Sequence, residues 1–200
     1  MTRRIVVTGP ESTGKTTLAR DLARSLHTIW VPEYARDYAA SRSELTAADV
    51  EPIGRGQAAR EDAILSEQPS LADVVLDTDL LSTTVYAEHY YGSCPRWVWT
   101  EAQRRLGALY LLCDVDLAWV ADGVRDQPEA RTELHQCFGR RLQEFGARVL
   151  PVAGVGPVRL QVALAAVRGW RAAQPRLHGS DGGDPQGRLA AVISPKRFVP

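Results

Sequence analysis

The feature that most constrains this chain is a glycine-rich motif close to its N-terminus. Residues 9–16 read GPESTGKT and fit the pattern G-x-x-x-x-G-K-[ST], in which a loop wraps around phosphate groups. The chain has only two lysines against 22 arginines, and one of the two, Lys15, fills the lysine position of the motif. A compact ammonium group is therefore kept where the loop needs one to reach between phosphate oxygens.

The motif lies between a predicted strand and a predicted helix. Residues 5–7, IVV, are typical of a buried strand. The apolar residues behind the motif repeat at helical spacing, and they are Leu18, Ala19, Leu22, Ala23 and Leu26. Strand, loop and helix thus follow in the order that a phosphate loop requires, and the motif predicts binding of a nucleoside triphosphate.

The motif also assigns roles within this predicted nucleotide site. Lys15 is expected to contact the β- and γ-phosphates, and Thr16 is expected to hold Mg²⁺. The motif therefore predicts a nucleoside triphosphate and Mg²⁺ as cofactors. The residues expected to contact the phosphates are Gly9, Glu11, Ser12, Thr13, Gly14, Lys15, Thr16 and Thr17.

Composition and charge indicate one enzyme-sized domain. The chain has 200 residues, of which 44% are hydrophobic and 24% charged, and its 24 basic and 24 acidic side chains cancel. No net field favours nucleic acid or a membrane surface, and no apolar run resembles a signal peptide or a membrane span. We expect a cytoplasmic protein with a small-molecule substrate, made of a domain over residues 1–173 and a flexible tail over 174–200 that is rich in Pro, Gly, Ser and Asp.

Apolar runs alternate with helical patterns along the chain. The runs predicted as strands are residues 5–7, 29–31, 74–76, 109–112 and 149–152. This alternation predicts an α/β protein with a mostly parallel sheet of about five strands. Together with the phosphate-loop motif, it indicates a P-loop NTPase three-layer sandwich with a kinase-type lid. Ligands of such sheets bind at the carboxyl ends of the strands.

Two acidic residues follow the predicted strand at residues 74–76. Asp77 lies where a carboxylate of a phosphate-loop enzyme meets Mg²⁺, opposite Thr16. Asp79, two residues further on, is a candidate for substrate contact in the same cleft. The alternative for both carboxylates is to cap the helix that begins near Leu80.

Glu33 follows the predicted strand at residues 29–31. At the end of that strand it would face the phosphate loop, where a carboxylate could act as a general base or orient an acceptor hydroxyl. The alternative is a surface salt bridge with Arg36. Arg36 itself could bind phosphate or hold Glu33 in place.

A polar loop over residues 119–131 follows the predicted fourth strand. Its arginines Arg125 and Arg131 are candidates for a lid that neutralises the charge of a transferring phosphoryl group. The alternative is that they pair with nearby acidic residues on the surface.

Six segments together resemble a known family. They are residues 9–16, 32–38 (PEYARDY), 56–57 (GQ), 77–83 (DTDLLST), 90–92 (YYG) and 119–125 (WVADGVR). In this order they are similar to the ribosylnicotinamide kinase domain of the NadR-type NAD-biosynthesis proteins, over roughly Arg4 to Val167. The resemblance implies transfer of the ATP γ-phosphate to the 5′-hydroxyl of nicotinamide riboside. Only eight residues precede Gly9, so only this kinase step is carried over, and not the adenylyltransferase or repressor regions of the family.

The resemblance also suggests residues for the substrate. Nicotinamide riboside carries a pyridinium charge, which a pocket of carboxylates and aromatic rings would favour. The predicted substrate contacts are Glu33, Tyr34, Arg36, Asp77, Asp79, Tyr91 and Trp97. The predicted catalytic residues are Lys15, Glu33, Asp77, Arg125 and Arg131.

Two other functions are compatible with the same motifs. Another nucleoside or nucleotide kinase would use the same loop, carboxylate and lid. An ATP-binding regulatory protein without a phosphoacceptor would use the loop alone. A GTPase switch is disfavoured, because the chain contains no asparagine and so lacks the N-K-x-D element that reads guanine.

Overall fold

The computed structural model describes residues 2–118 and 130–174. These residues form a five-stranded parallel sheet, which confirms the α/β prediction. The strands are β1 (Arg3–Thr8), β2 (Trp30–Val31), β3 (Asp73–Asp77), β4 (Leu109–Cys113) and β5 (Val149–Val152), in the order β2-β3-β1-β4-β5. All of β3 and β4 is buried, as expected of parallel strands covered on both faces.

Seven α-helices surround the sheet in the described ranges. They are α1 (Lys15–Ser25), α2 (Tyr34–Ala39), α3 (Val50–Glu67), α4 (Leu80–Tyr91), α5 (Arg96–Arg104), α6 (Arg131–Glu144) and α7 (Pro157–Ala172), with a 3₁₀ turn at Ala47–Asp49. None of these helices combines the length and apolar character that a bilayer crossing requires. Residues 119–129, which include the predicted lid residue Arg125, and residues 175–200 lie outside the described part of the chain, so the boundary at residue 173 stays a prediction.

Alternate side chains of β1 divide the interior into two cores. Ile5 and Val7 pack with α1 and α7, whereas Val6 packs with the helices on the other face, α4 and α6 among them. This alternation is the period of two expected of a strand, and it produces three layers of helix, sheet and helix. The central position of β1 brings the loop that follows it to the middle of the carboxyl edge of the sheet.

Candidate active site

The phosphate loop begins where β1 ends and passes close to β4. Gly9 has a φ of 134°, and a Cβ placed on it would lie 2.9 Å from the carbonyl oxygen of Cys113. Glycine is therefore required here by both conformation and space. The loop ends at Gly14, and α1 begins at Lys15, so the N-terminus of that helix points at the loop.

Hydrogen bonds inside the loop meet at the carbonyl of Pro10. The Nζ of Lys15 donates to this oxygen at 2.6 Å, and the hydroxyl of Thr13 donates to it at 2.7 Å. Both side chains are buried. The lysine of the motif is thus hydrogen-bonded to its own loop.

Two buried arginines brace the loop from outside. Arg159 of α7 donates to the Thr13 carbonyl at 3.0 Å, and Arg131 donates to the Ser12 carbonyl at 3.3 Å and to the Leu117 carbonyl at 3.1 Å. Arg131, which the sequence placed in a lid, is the first residue of α6 and is 7% exposed. Arg159 was missed by sequence reasoning, since an arginine in an amphipathic helix carries no signal that it reaches a loop 146 residues away.

A cavity of about 330 Å³ opens in front of the loop. It is lined by Glu11, Ser12, Gly14, Lys15, Thr16, Thr17, Glu33, Arg36, Leu117 and Ala118. Six of the eight loop residues predicted to contact phosphate therefore lie around one cavity with Glu33 and Arg36, whereas Gly9 and Thr13 are not among its lining residues. We refer to this space as the phosphate cavity.

Asp77 lies at the end of β3, beside Thr16. Burial raises the pKa of its carboxyl to about 6, while the Thr16 hydroxyl bonded to it acts in the opposite direction. Its Oδ1 is buried without a hydrogen-bond partner among the described residues. A buried, partly unsatisfied carboxylate next to a threonine hydroxyl is an oxygen donor set that suits Mg²⁺.

Asp79 follows Asp77 by two residues and has different partners. Thr78 has a φ of 65°, in the left-handed region, and interrupts the extended chain. Asp79 accepts from the Leu81 amide at 3.1 Å, which caps α4, and from the Tyr110 hydroxyl at 2.6 Å. Burial raises its pKa to about 7, with the charge of Glu61 acting in the same direction. The capping alternative for Asp79 is therefore present, and its contact with a substrate stays a prediction.

A second pocket, which we call the tyrosine pocket, adjoins the phosphate cavity. Its apolar and aromatic walls are Ala35, Leu45, Val50, Ile53, Tyr86, Ala87, Tyr90 and Tyr91, and its polar lining is Glu33, Thr46, Gln57, Thr78, Asp79, Ser82 and Thr83. Of the described residues that line the two spaces, Glu33 alone borders both. Tyr86 adds a second connection, because its hydroxyl donates to Glu11 at 3.3 Å.

The predicted substrate residues are only partly gathered at this pocket. Glu33, Asp79 and Tyr91 line it, but Tyr34 and Trp97 are not among its lining residues. The ring of Trp97 lies under the guanidinium of Arg55 at 4.1 Å instead. Aromatic residues near a motif are often packed against a helix, and sequence alone does not separate these cases.

The sequence of this chain is similar to those of NAD-biosynthesis proteins. The trifunctional NAD biosynthesis/regulator protein NadR of Salmonella typhimurium is 30% identical over 128 residues, which are 62% of this chain and 31% of that protein. The chain thus spans about a third of the length of the curated relatives it matches.

Solved structures give the same result for the fold. Crystal structures of NadR with NR and of NadR with NAD and AMP-PNP match with TM-scores of 0.68 and 0.67 at 27% and 26% identity. They cover 89% and 90% of this chain, and 52% of the NadR chain in both cases. Thymidylate kinase from Ehrlichia chaffeensis, at 14% identity, covers 84% of this chain and 97% of its own with a TM-score of 0.63, and shows the same P-loop kinase fold.

A family of AAA domains matches residues 4–159, which include the phosphate loop, Glu33, Asp77 and all of the sheet except Arg3, the first residue of β1. The resemblance inferred from the sequence motifs is confirmed by the similarity to NadR. The chain belongs to this AAA-domain family, and within it the chain is similar to NadR.

Proposed function

We propose that this protein is a small-molecule kinase that transfers the γ-phosphate of ATP to the 5′-hydroxyl of nicotinamide riboside. The observation that carries the proposal is the meeting of two spaces at one carboxylate. The phosphate cavity contains the loop and Lys15, the tyrosine pocket lies beside it, and Glu33 borders both. A donor and an acceptor bound in these spaces would meet at Glu33.

In the proposed reaction the 5′-oxygen of the acceptor attacks the γ-phosphorus. The bond from that phosphorus to the β,γ-bridging oxygen breaks, ADP leaves, and the hydroxyl proton passes to the Glu33 carboxylate and then to water. Lys15 would exchange its bond to Pro10 for phosphate oxygens and stabilise their charge. Arg36, which lines the phosphate cavity, is positioned to add a second cation.

The residues at the phosphate loop also fit a magnesium ion. Thr16 and Asp77 are the proposed ligands, because the Asp77 carboxyl has an unsatisfied buried oxygen and a raised pKa that a cation would lower. When bound, the ion neutralises charge on the β- and γ-phosphates.

Nicotinamide riboside is the acceptor that best fits the pocket chemistry. The pocket combines three tyrosines with the carboxylate of Glu33, and such a lining favours a flat cationic ring over a neutral one. NadR, to which this chain is similar, has been crystallised with NR.

The test is a screen of acceptors by ADP release, with the phosphorylated product identified by mass. We expect turnover with nicotinamide riboside and weak turnover with its reduced dihydro form, which has the same shape but no ring charge. Faster turnover with deoxynucleosides would assign the protein to another nucleoside kinase activity. Binding of ATP with no ADP release from any acceptor would support the regulatory alternative.

A further inference from the structure

The Gly56–Gln57 pair on α3 belongs to the motifs singled out in the sequence, but the proposed mechanism gives it no role. We infer that this pair is a positioning device for Glu33, acting through the backbone of Tyr34. The inference rests on the proposed function, because it concerns how the carboxylate at the junction of the two spaces is held in place.

The contact between Gln57 and the segment that carries Glu33 is direct. The backbone amide of Tyr34, the residue after Glu33, donates to Oε1 of Gln57 at 2.8 Å. The other end of the same amide group donates from Nε2 to Oε1 of Glu61 at 3.1 Å. Gln57 is 3% exposed and Glu61 1% exposed, so water does not compete strongly for these bonds.

Glu61 sets the orientation of the Gln57 side chain. A carboxylate only accepts hydrogen bonds, so the NH₂ group of Gln57 must face Glu61 and its oxygen must face Tyr34. Arg105 holds Glu61 in turn, with a contact of 3.2 Å between Nη2 and Oε2, and Arg105 is itself tied to Asp62 at 2.6 Å. Donation thus runs from Tyr34 to Gln57 and from Gln57 to Glu61, and Arg105 donates to the same carboxylate from the other side.

The neighbouring residues on α3 hold the same segment. A Cβ added to Gly56 would lie 2.1 Å from Cε1 of Tyr34, so only glycine lets that ring pack against the helix. Arg60 donates to the carbonyl of Glu33 at 3.3 Å and lies over the Tyr34 ring at 4.9 Å. Arg60 also donates to the carbonyl of Pro32 at 3.4 Å, so one face of α3 contacts the ring of Tyr34 and the peptide groups on both sides of Glu33.

These contacts matter because Glu33 borders both spaces, and the peptide groups beside it set where its side chain begins. It lies between the end of β2 and the start of the six-residue helix α2, and it adopts an extended backbone conformation with a φ of −61° and a ψ of 124°. A displacement of about 1 Å at a reacting group can lower a rate roughly 100-fold. Loss of the Gln57 contact releases the peptide group on the C-terminal side of Glu33.

The experiment is a double-mutant cycle between Gln57→Leu and Glu33→Gln, with nicotinamide riboside as acceptor. We expect Gln57→Leu to lower kcat by about 10- to 100-fold while the dissociation constant of an ATP analogue changes by less than about twofold. If Gln57 acts through Glu33, the double variant is no slower than Glu33→Gln alone. Gln103→Leu, on the exposed face of α5, is the matched control and should leave kcat unchanged.

Two further measurements keep the inference testable. Gln57→Glu keeps an acceptor for the Tyr34 amide but sets a second carboxylate against Glu61, whereas adding Glu61→Gln places a donor between the two side chains again, so the exchanged pair should recover kcat relative to Gln57→Glu alone. Hydrogen exchange needs no acceptor, and it should show loss of protection at the Tyr34 amide in Gln57→Leu only. The inference is overturned if the reductions in kcat caused by Gln57→Leu and Glu33→Gln multiply in the double variant. It is also overturned if the protection of the Tyr34 amide is unchanged in Gln57→Leu. If the wild-type protein does not turn over nicotinamide riboside, the proposed function is rejected instead. The hydrogen-exchange result at the Tyr34 amide then decides the inference alone.

Discussion

Asp79 makes the stability of this protein depend on pH in a direction that can be calculated. Its carboxyl is 5% exposed, and burial raises its pKa from 3.8 to about 7. The native state therefore binds one more proton than the unfolded state between these two values. Stability from this group is complete below about pH 4 and is lost as the pH rises through 7. One proton corresponds to about 1.4 kcal/mol per pH unit, so the loss between about pH 5 and pH 8 is roughly 3 kcal/mol.

The substitution Asp79→Asn should remove this dependence. The asparagine side chain retains an oxygen for the Leu81 amide and carries no charge. The free energy of unfolding of the variant should therefore increase relative to that of wild type as the pH rises. Urea unfolding followed by tryptophan fluorescence at four pH values over this range gives the free energy of unfolding of both proteins. The difference between the two curves isolates Asp79 from Asp77 and Glu61, which titrate in both.

Asp49→Asn is the matched control. Hydrogen bonds from Thr46 and Tyr38 lower the pKa of Asp49, so its contribution is lost only as the pH falls below the usual range of an aspartate. Between about pH 5 and pH 8 the free energy of unfolding of this variant should therefore change with pH as that of wild type does. If the free energy of unfolding of Asp79→Asn also follows that of wild type over this range, the buried carboxyl does not have the raised pKa on which the prediction depends.

Four other outcomes are expected. Lys15→Ala should lower kcat by about 100-fold or more, because it removes a charge that stabilises the transferring group, and steady-state kinetics that show a near-normal rate would reject the phosphate-loop assignment. With Asp77 ionising at about 6, kcat/KM should fall as the pH drops below that value, and Asp77→Asn should weaken the response of turnover to Mg²⁺ in a metal titration. Arg159→Met should weaken ATP binding measured by calorimetry, because the Thr13 carbonyl loses its donor, and unchanged affinity would exclude a bracing role. Removal of residues 175–200 should leave kcat and the melting temperature unchanged, whereas loss of folding would place the tail within the domain.

The sheet and the phosphate loop were predictable from the sequence for physical reasons. Parallel strands are covered on both faces, so they appear as short continuous apolar runs, and all five predicted runs are strands in the structure. The loop was predictable because its backbone geometry restricts the residues that fit, as the close approach of Gly9 to Cys113 shows. The positions of Glu33 and Asp77 followed from the ends of their strands.

Contacts made by long polar side chains were not predictable. Arg159 and Gln57 lie in helices whose sequence patterns do not distinguish a buried polar residue from an exposed one, and their partners are distant in the chain. The bond between Tyr110 and Asp79 joins β4 to the N-cap of α4, and the left-handed backbone of Thr78 before Asp79 has no marker in its side chain. Such features arise from packing between elements, which a local pattern does not contain.

The carbonyl of Pro10, to which Lys15 donates, is a competitor within the loop for any ligand that binds Lys15. A small anion such as orthophosphate offers few contacts in return for breaking that bond, whereas a triphosphate offers oxygens along the whole loop. The protein should therefore discriminate against free phosphate ions at their cellular concentrations, and the release of Lys15 should accompany the arrival of a nucleotide with its full phosphate chain.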